Sequence, residues 1–98
     1  MTTAEMRECL NQRYKQADAA LNQLYQQLLS QLSKTRQIKL REAQQAWVLF
    51  RDKSAAFMAS AAEGGTMQPL LSLAALTSMT EKRVAELKAL LHETSTFR

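Results

Sequence analysis

The sequence predicts an all-α protein, an elongated antiparallel three-helix bundle, and three observations carry that expectation. Two glycines and one proline in 98 residues are too few for the turns that a β-protein of this length needs. Apolar residues recur three or four positions apart through almost the whole chain. Only two breaks interrupt that rhythm, at "SQLSKTRQ" and "EGGTMQP", and they leave three segments of similar length. Helices are therefore expected over about 3–32, 35–63 and 67–92, in a single domain spanning 1–98.

Each segment has its own stripe. The first runs through Met6, Leu10, Tyr14, Ala17, Leu21, Leu24, Leu28 and Leu32, with Tyr25 and Leu29 widening it enough to touch two neighbours. Ser33 and Thr35 are the capping candidates for the second helix. Its stripe reads Leu40, Ala43, Trp47, Phe50, Ser54, Phe57 and Ala61. Beside that stripe lies a second line of Gln44, Trp47/Val48, Arg51 and Ala55. The alanines of "SAAFMASAAE" leave room for another backbone, so the second and third helices should approach most closely near the paired glycines. Gly64 and Gly65 supply the positive φ that ends a helix, Thr66 is a cap, and Pro69 fits the next first turn. The third stripe is Leu70, Leu73, Thr77, Thr80, Val84, Leu87 and Leu91.

Composition narrows the function. Apolar residues at 46% and charged residues at 22% describe a globular protein and not a disordered one. The net charge of +4 is concentrated between Lys34 and Lys53, but Glu42 and Asp52 interrupt it. Nucleic-acid binding through Lys34, Arg36, Lys39 and Arg41 is therefore not the expected use, and a solvated helix face is. The weakly charged stretch from Ser54 to Met79 is broken by "EGG" and Pro69, so no membrane span is read. "MTTAEMRECL" lacks a basic start followed by an apolar run, so no leader is read within it. Cys9 is the single cysteine and excludes an intrachain disulfide.

No constellation for chemistry stands out. One histidine and one cysteine far apart do not make a metal site, and no serine or cysteine carries a recognisable base beside it. The glycine pair lacks the remaining glycines and the lysine of a phosphate loop. His92 reads as a surface cap at the end of the third helix. The expectation is a non-enzyme with no cofactor and no metal.

The segment "AQQAWVLFRD" draws most interest. Arg51 can lay its stem on the apolar surface and turn its guanidinium toward a carboxylate, with Asp18, Glu81 or Thr80 as candidate partners. A register-fixing polar network is the ordinary reading, and an anchor for a partner built from Trp47 and Arg51 is the sharper one. Met58, Met67 and Met79 gather around the glycine pair. Core filling is the default there, and an adaptable binding patch is the alternative.

"ADAALNQLYQQLL", "LREAQQAWVLFRD", "EGGTM" and "LTSMTEKRVAELKAL", in that order and spacing, resemble the LprI-type lysozyme-inhibitor domain, a family of small, mostly exported helical bacterial proteins. The residues that carry the resemblance are Leu21-Asn22 with Tyr25, Gln44 with Trp47, Arg51-Asp52, Gly64-Gly65, and Arg83 with Leu87. What it implies is an all-helical domain in the periplasm or outside the cell, with a lysozyme as the target. It also implies that Asn22, Gln44, Arg51, Asp52 and Arg83 tie helices together while Tyr25 and Trp47 fill between them. The chain departs from the family at two places that usually hold cysteine, here Ala55 and Ser72. Charge is a further tension, since common animal lysozymes are strongly basic and a chain carrying +4 meets them with unfavourable long-range electrostatics.

Two readings stay open from the sequence. One is an exported inhibitory module whose partner is a protein. The other is a helical adaptor in the cytoplasm, homodimeric through the widened face of the first helix.

Overall fold

The computed structural model describes residues 1–96 and contains three long helices, with no strand among the described residues. They are α1 (Thr3–Ser30), α2 (Lys34–Ala59) and α3 (Gln68–Thr96), and a single 3-10 turn over Ser60–Ala62 extends α2. The backbone measures 49 × 23 × 15 Å, so the molecule is elongated as expected.

Local chemistry sets the helix ends. Thr2 caps α1 through a reciprocal box: its Oγ1 accepts from the Glu5 N–H at 3.1 Å, and its own N–H donates to the Glu5 carboxylate at 3.3 Å. Ser33, one of the two expected caps, starts α2 by accepting from the Arg36 N–H. Gln37 closes the same corner from the other side. Its amide donates to the carbonyls of Leu29 and Leu32 at 3.0 and 3.1 Å, adding to the bond that the Leu29 carbonyl accepts from the Leu32 N–H at the end of α1. At the second turn Gly64 has φ +78°, the left-handed conformation that ends a helix cheaply only with glycine. The start of α3 differs from expectation. The Met67 carbonyl accepts the first helical bond from Leu71, and the Gln68 side chain, not Thr66, reaches back to the Gly64 N–H.

The third helix is the central one. It runs parallel to α1, where Arg13 bonds Glu81 and Thr77 faces Leu10, and antiparallel to α2, where Gln44 meets Arg83. Both α1 and α2 pack along α3, while α1 and α2 approach one another little. The core is Leu21, Leu28 and Leu87, with Leu24, Tyr25, Leu32, Leu40, Trp47, Val84 and Leu91 packed against it. The widened face of α1 is spent inside the bundle: Leu29 is buried and Tyr25 packs on the core. It is therefore not open to a second copy.

The stripes of α1 and α3 fall inward as read, but that of α2 does not. Gln44, Arg51, Ala55 and Ala59 are the buried positions of α2, whereas Phe50 and Phe57 are 62% and 76% exposed. The helix is turned by about one residue from the apolar stripe. The reason is steric and electrostatic together. Alanine at 55 and 59 lets α3 come close where phenylalanine would hold it off, and Gln44 meets Arg83 of α3 only in this orientation.

Candidate protein-binding site

The residues that carry the family resemblance gather around Trp47. Two guanidinium groups lie over its ring, with the Arg51 and Arg83 carbons 5.2 and 5.8 Å from the ring centre. Both arginines offer their charge to the π-face while their stems cover apolar surface. Arg83 Nε donates to Gln44 Oε1 at 3.1 Å, a direct tie between α3 and α2, and one of its terminal nitrogens donates to Glu86 at 3.3 Å.

Arg51 does not cross to another helix. Its Nε and a terminal nitrogen both lie 3.0 Å from Asp52 Oδ1, so its partner is the adjacent residue. The expected partners are otherwise disposed. Glu81 is held by Arg13 of α1 at 2.6 Å, and Thr80 is buried with no hydrogen-bond partner for its hydroxyl. The Glu81 hydrogen bond, and then its charge, raise the Arg13 guanidinium above its ordinary pKa. Of the remaining motif residues, Tyr25 packs on the core from the α1 side and Gly64 makes the turn. Asn22 is exposed and ties no helices together. Gly65 is a matter of space, since a Cβ there would sit 3.2 Å from the Ala62 carbonyl oxygen.

This cluster is a seam, with little of its polar surface free to react. Gln44 and Arg51 are buried, the Gln44 oxygen accepts from Arg83, and Arg51 donates to Asp52. Among the described residues no three of His, Cys, Asp and Glu come together as a metal site would require. Cys9 is free and exposed on α1.

A second feature lies beside the seam, toward the glycine turn. Turning α2 inward by its alanines leaves Phe50 and Met58 over a groove of about 440 Å³, floored by Leu71, Ala74, Ala75 and Met79 of α3. Phe50 and Met79 also bound a smaller hollow against Trp47, so the groove runs up to the seam. Met58 is 56% exposed and Met67, at the turn itself, 42%. Clustering of the methionines was visible in the sequence. The participation of Phe50, Leu71 and Ala74 was not, because the apolar stripe assigned Phe50 to the interior. No helix among the described residues is long and apolar enough to cross a membrane, so the apolar strip is not a span.

Comparison with known proteins gives the chain a family. The family model described as "Lysozyme inhibitor LprI" matches residues 1–87. A protein of Rhizobium meliloti (strain 1021), described only as uncharacterized, is 33% identical over 96 residues, covering 85% of this chain and 69% of the relative. No solved structure matches. With a match that takes in all of α1, all of α2 and most of α3, including the whole Trp47 seam, the chain belongs to the LprI lysozyme-inhibitor family.

Proposed function

We propose that this protein is a non-enzymatic binding module that acts outside the cytoplasm by blocking a lysozyme, and that it grips its target through the groove between α2 and α3. The observation that carries the reading is the groove itself, with Phe50 and Met58 exposed above small and sulfur-containing side chains. Apolar patches of this kind on a small protein mark binding surfaces, and methionine adapts its shape to a partner. The seam supports the groove from behind. Arg51 and Arg83 both lie over Trp47, and Trp47 lines the hollow that Phe50 borders, so the edge of the groove adjoins the seam.

Charge decides how such a contact would form. The chain carries +4, and a basic lysozyme repels it at long range. Apolar contact, and not electrostatic steering, supplies the affinity, and screening the repulsion with salt strengthens binding instead of weakening it.

The test is clearance of a bacterial cell-wall suspension by an animal-type lysozyme in the presence of the purified protein. Slower clearance is expected, more pronounced at moderate than at low ionic strength. Phe50→Asp should abolish the slowing while leaving the helical circular-dichroism signal intact. Undiminished clearance at a large molar excess of the protein overturns the inhibitor reading.

A further inference from the structure

The face of α2 that points away from α3 is unusually apolar for a solvent face, and it has an internal order that the groove does not explain. Ile38 is 54% exposed, Leu49 60% and Phe57 76%, and Glu42, Ala46 and Lys53 lie on the same face between them. These six residues form three nested pairs about one point, midway between Trp47 and Val48 along the helix. Ile38 and Phe57 are the outer pair, Glu42 and Lys53 the middle pair, and Ala46 and Leu49 the inner pair.

A sequence with that property is complementary to itself when reversed. Lay a second α2 antiparallel on the first, with a two-fold axis through the common point, and each residue meets the other member of its own pair. Glu42 meets Lys53 of the second copy, twice over by symmetry. Leu49 sits over the small Ala46, and Phe57 covers Ile38, so large side chains oppose small or apolar ones. No like charges fall opposite each other in this register: Lys39 is set against Ala56, Arg41 against Ser54 and Asp52 against Ala43. A register shifted along the helix would lose both charge pairs.

We propose that the outer face of α2 is the contact surface for a second copy of this chain, in an antiparallel α2–α2 dimer registered by the Glu42–Lys53 pairs. One helix face of this length buries on the order of 1,000 Å² in total, the low end for a specific interface. The dimer is accordingly a weak one, with monomer and dimer exchanging as concentration changes. It leaves the floor of the α2–α3 groove uncovered, and it stands or falls independently of the lysozyme reading.

Sedimentation of the full chain, kept reduced so that Cys9 cannot link two molecules, tests this over concentrations from about 1 μM to about 1 mM. Wild type is expected to shift from monomer to dimer within that range. Glu42→Lys and Lys53→Glu each turn two attractive contacts into two repulsive ones and should each weaken the dimer roughly tenfold. Mixing the two variants restores both attractive pairs, so the mixture should dimerise better than either variant alone. All these positions are exposed, and an unchanged helical signal in each variant separates lost association from lost folding. A wild type that stays monomeric to the highest concentration overturns the proposal. So does a dimer that ignores both charge reversals, or a mixture that associates no better than its components.

Discussion

The two halves of this bundle are built from the same three helices by different means. In the half away from the glycine turn, leucines interlock: Leu21, Leu28 and Leu87 are at most 3% exposed, and Trp47 seals their side. In the half next to the glycine turn the buried positions are mostly small or hydroxylated, namely Ala17, Ala55, Ala59, Thr77 and Thr80, with Leu70 and Arg51 the large exceptions. There the large side chains, Phe50, Phe57, Met58 and Met67, face outward. One half spends most of its apolar mass on cohesion, Ile38 and Leu90 aside, and the other presents more of it to solvent. Stability and binding are thus separated along the long axis of a chain with little core to spare.

That contrast can be tested by truncation. Leu87→Ala removes the only leucine with no exposure, from a site hemmed in on two sides, and should cost about 3–4 kcal/mol of unfolding free energy in denaturant titration. Leu70→Ala at the opposite end, beside hollows into which neighbours can settle, should cost about 2 kcal/mol. Equal losses at the two sites would erase the distinction between the halves. Next in size is Gln44→Ala, which takes the acceptor from half-buried Arg83 but leaves it Glu86. A loss of about 1–2 kcal/mol is expected in the same titration.

The smallest expected effect has the opposite sign. Thr80→Val replaces a buried hydroxyl that has no partner with a methyl of similar size. Thr77, one turn earlier, is equally buried but donates to the Leu73 carbonyl at 2.7 Å. Thr80→Val should therefore raise the unfolding free energy by up to about 1 kcal/mol, while Thr77→Val should not. Thermal melts of the two variants side by side would read this directly.

How far the sequence can be read follows the same division. The α1 and α3 stripes were legible because leucine recurs at helical spacing, with Thr77 and Thr80 falling in the same register and no charged side chain on either line. For α2 a count of apolar residues misleads. It favours Phe50 and Phe57, whereas burial goes to the side that is thinnest and best supplied with partners, Ala55, Ala59, Gln44 and Arg51. The line through Gln44 and Arg51 was recognisable as a separate feature, but its geometry was not. A periodic pattern says which residues share a face. It does not say that Arg51 folds back on Asp52, or that Arg83 arrives from α3 to share Trp47. The groove escaped for a related reason, since Leu71 and Ala74 come to Phe50 only through tertiary packing. The glycine turn and the Ser33 cap were readable from local chemistry alone.

The order of the helices has a consequence for how the protein is made. Both α1 and α2 rest chiefly on α3, which is the last of the three to be synthesised. While the first sixty or so residues emerge, neither helix has its main support, and most helical stability in a protein comes from packing an amphipathic face. The bundle can close only when the final third of the chain arrives.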